Sequence, residues 1–85
     1  MKTFEVVITD AAGLHARPAG LLVKKAKEYA SRITLSANGK ECEATRLMAL
    51  MAMCVKCGTT VTVSVEGEDE QTCAAEMEAF FKQNL

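Results

Sequence analysis

The sequence is short of several things, and each shortage closes a class of function. Its 85 residues hold no apolar run near the roughly 20 residues that span a bilayer, so membrane insertion is not expected. Excess positive charge is missing: ten Lys and Arg against eleven Asp and Glu give a formal net charge of -1. Nucleic-acid binding by counterion release needs clustered cations, so nucleic acid is not an expected partner. Histidine occurs once, at His15. With no second histidine at ligand spacing a metal site is not expected; no cofactor is expected. Repeats, linkers and low-complexity segments are absent. A signal-type leader is not expected, because Met1-Lys2-Thr3-Phe4-Glu5 runs straight into a strand-like pattern with an acidic residue. The cytoplasm is therefore the expected compartment, and 1–85 is expected to form one domain, since a second core would not fit.

What is present is a regular alternation of short elements. Phe4, Val6 and Ile8 share one face of a first strand, Phe4 to Thr9. Asp10 to Gly13 reads as a loop. Arg17-Pro18 then opens a helix, where the missing proline N–H costs nothing. Ala19, Leu22, Val23, Ala26 and Ala30 form its apolar stripe, with Gly20 a weak point. Ile33, Leu35 and Ala37 mark a second strand, Asn38-Gly39 a hairpin turn, and Lys40 to Glu43 a third strand. Thr45 is the expected cap of a second helix reaching about Met53, and Gly58 closes the connection. Val61, Val63 and Val65 alternate with Thr and Ser in a fourth strand. Asp69 is the expected cap of a last helix with Cys73, Ala74, Met77, Phe80 and Phe81 on its apolar stripe. The order β-α-β-β-α-β-α, with right-handed crossovers and a hairpin, predicts an α+β open-faced β-sandwich. Its four-stranded antiparallel sheet should run 1-4-2-3, with three helices on one face and Thr, Ser and Glu on the other.

Chemistry concentrates at Gly13-Leu14-His15-Ala16-Arg17-Pro18-Ala19, which joins a strand end to a helix start. The first helical turn has unpaired N–H groups and a partial positive charge, so it stabilises an anion. A phosphoryl group on the His15 ring could meet the amides near Ala16 and Arg17, and the Arg17 guanidinium suits phosphate. Imidazole titrates near neutrality and can accept a phosphoryl group. The bland alternative is a loop or cap histidine of no function. Arg46 to Val55 is apolar almost all round. A short helix on a small sheet cannot bury every side, so part of this Met-rich surface is expected to be exposed for docking, with Leu50 and Met53 as core candidates. Charge is uneven along the chain, giving a basic first helix (Arg17, Lys24, Lys25, Lys27) and an acidic C-terminal segment (Glu66, Glu68, Asp69, Glu70, Glu76, Glu78).

The sequence resembles HPr, the histidine-containing phosphocarrier family of the bacterial sugar phosphotransferase system. The seven residues Gly13 to Ala19 match that family's active-site motif throughout. The Asn38-Gly39-Lys40 hairpin, the Met-rich second helix and Gly58 before the valine strand extend the match over nearly the whole chain. The resemblance implies that His15 accepts phosphate at Nδ1 from phosphorylated enzyme I, itself charged by phosphoenolpyruvate. His15 would then pass it to the IIA component of a sugar permease, with Arg17 steadying the group. The chain would be a monomeric, stoichiometric carrier rather than an enzyme. The resemblance further implies that Gly20, Lys24, Lys27, Leu47, Met48 and Met51 contact the partners. Gly20 departs from the alanine or threonine common there and can offer only close backbone approach. Arg46 stands where relatives of Gram-positive type carry a regulatory serine, so kinase control at that position is expected to be absent.

Two rival readings come from other classes. One is an HPr-like regulator acting by protein–protein interaction; the presence of His15 and of Arg46 counts against it. The other is a redox or zinc module built on Cys54-Val55-Lys56-Cys57. That spacing has no second pair beside it, and cytosolic thiols stay reduced. Cys42, Cys54, Cys57 and Cys73 are expected to serve as small hydrophobes.

Overall fold

A computed structural model describes residues 1–9, 13, 16–53 and 55–84. The elements are β1 (Lys2–Val7), α1 (Ala16–Ala26), β2 (Arg32–Ala37), β3 (Lys40–Glu43), α2 (Leu47–Ala52), β4 (Thr60–Glu66) and α3 (Glu70–Asn84). The strands form one antiparallel sheet in the order β1-β4-β2-β3, as expected, with the three helices over one face. Asn38 and Gly39 both take positive φ, at 54° and 75°. They form the two-residue turn that pairs Ala37 with Lys40 and so fixes the β2–β3 register.

Strand alternation decides which face meets the helices. Val61, Val63 and Val65 of β4 are fully buried beside Ile33 and Leu35 of β2 and Val6 of β1. Thr3, Glu5, Thr62, Ser64, Thr34 and Ser36 line the opposite, open face. From α3, Cys73, Met77 and Phe81 point into the same core at a spacing of four residues. Phe81 meets Phe4 edge to face, with ring centroids 6.3 Å apart. Each fully buried Leu, Ile, Val, Met or Phe contributes about 1.5–3 kcal/mol.

Four details differ from the sequence-based expectation, and tertiary contacts explain them. β1 begins at Lys2 and ends at Val7; Ile8 continues the pairing irregularly, bonding Thr59 O and Gly58 N. α1 stops at Ala26, so Ala30 is exposed and lies outside its stripe. Glu28 and Tyr29 tighten the end with bonds to Lys25 O and Ala26 O, and the Ala30 and Ser31 amides donate to the Asp69 carboxylate instead of the helix. Asp69 does sit immediately before α3, but its carboxylate is turned to those amides and to the Ser31 hydroxyl. The Ser31 hydroxyl first, then the amides, hold this carboxyl below its usual range. Finally, Thr45 does not cap α2. The Ala44 amide is still bonded to Ile33 O, which carries the chain along the sheet one residue too far, and Arg46 takes the N-cap position without a side-chain bond.

Candidate functional site

His15 and Leu14 lie outside the described residues, as do Asp10 to Ala12 and Cys54. The described residues that frame this segment are closely held. Gly13 is buried, with φ +73°, and packs on the α2–β4 connection so tightly that an ideal Cβ would fall 2.4 Å from Val55 O and 2.8 Å from Lys56 Cα. Only glycine fits there, two residues before His15. On the other side α1 begins at Ala16, with Pro18 in its first turn and buried, and Arg17 exposed. No acidic residue lies in that first turn, so the positive end of the helix is not offset from within.

α1 carries two chemically distinct faces. Ala19, Leu22 and Ala26 are buried, whereas Arg17, Leu21 and Lys24 follow one another at helical spacing on the outside, with Lys27 exposed one residue beyond the end. Arg17, Lys24 and Lys27 form no ion pair with any described residue. Lys25, by contrast, reaches Glu28 at 3.6 Å and Glu76 at 3.8 Å, and its ammonium lies 5.6 Å from the Tyr29 ring centroid. The Tyr29 hydroxyl donates to Glu76. Burial is the main cause that pushes Tyr29 up, and a hydrogen bond with Tyr29 is the main cause that raises Lys25.

α2 packs beside α1. Leu50 and Met53 are buried, as expected, while Met48 is 77% exposed and Leu47 and Met51 are exposed beside it. Gly20 is half-buried, and a Cβ there would meet nothing within 4 Å. The structure therefore brings Arg17, Lys24, Lys27, Leu47, Met48 and Met51 to the outer surface of two adjacent helices. The expectation missed Leu21, which is 44% exposed on the cationic side of α1. Its position four residues after Arg17, off the buried stripe, was the available signal. Cys57 is exposed, Cys73 is buried, and half-buried Cys42 lies 3.1 Å from the Met53 sulfur. No group of metal-ligating side chains occurs among the described residues. None of the described helices is long and apolar enough to cross a membrane.

Comparison with known proteins gives a consistent result. The family model described as the PTS HPr component phosphorylation site matches residues 2–83. The phosphocarrier protein HPr of Mycoplasma capricolum is 45% identical over 69 residues, covering 81% of this chain and 78% of that protein. HPr-C-His of Thermoanaerobacter tengcongensis superposes with a TM-score of 0.92 at 32% identity, covering 99% of this chain and 94% of the other. An HPr dimer from the same organism superposes with a TM-score of 0.68 at 34% identity, covering 95% and 98%. The chain belongs to the HPr family, the phosphocarrier proteins of the phosphotransferase system.

Proposed function

We propose that this protein accepts a phosphoryl group on His15 from phosphorylated enzyme I and donates it to IIA components of sugar permeases. The observation that carries this reading is the outer surface of α1 and α2. It offers Arg17, Lys24 and Lys27, cations with no ion pair among the described residues, and exposed Leu47, Met48 and Met51 on the neighbouring helix, with α1 starting just after His15 in the chain. Such a surface suits transient docking of more than one partner: methionine adapts to different shapes, and cations steer acidic surfaces.

In each transfer one N–P bond breaks as another bond to phosphorus forms. A neutral imidazole nitrogen of His15, Nδ1 by family resemblance, attacks the donor's phosphorus, and the donor group leaves with the electron pair. The second transfer repeats this with His15 as the leaving group. The helix-start amides near Ala16 and Arg17, with the Arg17 guanidinium, offset charge on the phosphoryl oxygens in both directions. Gly20 and Lys24, Lys27, Leu47, Met48 and Met51 make the partner contacts. The protein is consumed and regenerated stoichiometrically, without a cofactor, in the cytoplasm.

The test is incubation with enzyme I and phosphoenolpyruvate. Wild type should gain one acid-labile phosphate and His15→Ala none; labelled His15→Ala would overturn the reading. We further propose a monomer. β1 is an edge strand and Thermoanaerobacter tengcongensis HPr has been solved as a dimer, so light scattering decides between 9.2 kDa and twice that mass.

A further inference from the structure

Arg46 stands where local folding physics disfavours it. It occupies the N-cap of α2 with φ -109° and ψ 96°, and its side chain makes no capping hydrogen bond. Guanidinium has only donors, so it cannot accept from the free amides of the first turn. A cation there also faces the positive end of the helix dipole. Arg46 is exposed and forms no ion pair with any described residue. Its backbone contributes ordinary turn bonds to Glu43 O and from the Leu50 amide, which any residue could supply. Nothing in the fold of the described residues uses this side chain.

Its surroundings do give it a use. Leu47 and Met48, the two residues that follow, are exposed, and Met51 lies one turn on. Across the α1–α2 pair stand Arg17, Lys24 and Lys27, likewise without carboxylate partners among the described residues. Elsewhere Lys25, Arg32, Lys82 and the terminal ammonium are paired with Glu76, Glu43, Glu78 and Glu70, while Lys2, Lys40 and Lys56 form no ion pair with a described residue but do not adjoin Leu47 and Met48 in the chain. The α2 surface is thus a patch of large apolar side chains with Arg46 at its N-terminal end and the α1 cations on the helix packed beside it. Its complement is an apolar protein surface rimmed with carboxylates.

We propose that Arg46 is a docking cation: it pairs with carboxylates at the rim of the phosphoryl donor's surface that covers Leu47, Met48 and Met51. This rests on the phosphocarrier reading above. It makes stability and docking pull in opposite directions at one residue, because a serine would cap α2 but could not pair with the partner.

The test measures the KM for this protein in the enzyme I reaction, over a salt series, alongside urea unfolding. Arg46→Ser should raise the unfolding midpoint while raising KM about two- to five-fold at low ionic strength, the range for one exposed ion pair. Arg46→Glu should raise KM further. Both differences should fade as salt screens the rim charges, with kcat unchanged. Lys2→Ser, an equal change of net charge on β1, should leave KM at the wild-type value. Wild-type KM in both Arg46 variants would overturn the proposal, as would an equal effect from Lys2→Ser. A wild-type protein that takes no phosphate from enzyme I would overturn the reading beneath it as well.

Discussion

Gly13→Ala tests whether the loop before α1 is pressed against the α2–β4 connection. Two terms set the cost. A residue with a Cβ held at φ +73° loses about 1–2 kcal/mol relative to its preferred conformations. The new methyl would also lie 2.4 Å from Val55 O and 2.8 Å from Lys56 Cα, both backbone atoms that cannot rotate aside. Relieving that overlap by local strain adds on the order of 1–3 kcal/mol. The sum, about 2–5 kcal/mol, is a large share of what a small domain possesses. At roughly 4–8 °C per kcal/mol, the melting temperature should fall by at least about 8 °C. Far-UV circular dichroism in heat and urea is the suitable assay, since the chain has no tryptophan. Gly20→Ala is the internal control: a Cβ there meets nothing within 4 Å, so ordinary helix propensity should win and stabilise by about 1 kcal/mol. A Gly13→Ala protein within about 1 kcal/mol of wild type would refute the reasoning, because neither the backbone conformation nor the contact could then be as described.

Other predictions separate core from surface and pair from pair. Leu50→Ala should cost about 2–5 kcal/mol by denaturation, whereas Met48→Ala on the same helix should stay within about 0.5 kcal/mol, since Leu50 is buried and Met48 is 77% exposed. Asp69 has its carboxyl held below its unfolded value by Ser31 and the Ala30 amide, so its contribution is full above the unfolded pKa and is lost as pH falls through the folded one. Urea midpoints measured from neutral pH into the acid range should therefore fall less steeply in Asp69→Ala, with a lower starting value. Burial pushes the Cys73 thiol up to about 11, so iodoacetamide near neutral pH should modify exposed Cys57 well before Cys73, read by peptide mass spectrometry.

Strand order and hairpin were legible because alternation and turn chemistry are local signals. Val61, Val63 and Val65 announce a half-buried strand, and Asn38-Gly39 admits the turn that sets the register. That part of α2 would be exposed was legible from geometry, since a short apolar helix on one sheet face cannot bury every side; that Leu47, Met48 and Met51 are the exposed residues came from the family resemblance. What escaped was decided by partners distant in sequence. Asp69 looks like a cap because it precedes a helix, yet it is drawn to Ser31, 38 residues away. Ala30 looks like part of the α1 stripe until its amide goes to Asp69. Thr45 is the better capping residue by type, but pairing of Ala44 with Ile33 moves the helix start to Arg46's side. Leu21 was hidden because an apolar residue on a cationic face leaves the periodic pattern weaker without breaking it. The histidine itself was singled out by its place ahead of a proline-opened helix with Arg17 beside it.

The most direct test of the account is identification of the phosphorylated atom. Wild-type protein charged by enzyme I and phosphoenolpyruvate should show, by phosphorus and proton NMR, a single phosphorus bound to an imidazole nitrogen of His15, and the signal should vanish on addition of a IIA acceptor. A phosphate found on any other residue, or one that no IIA component removes, would contradict the account.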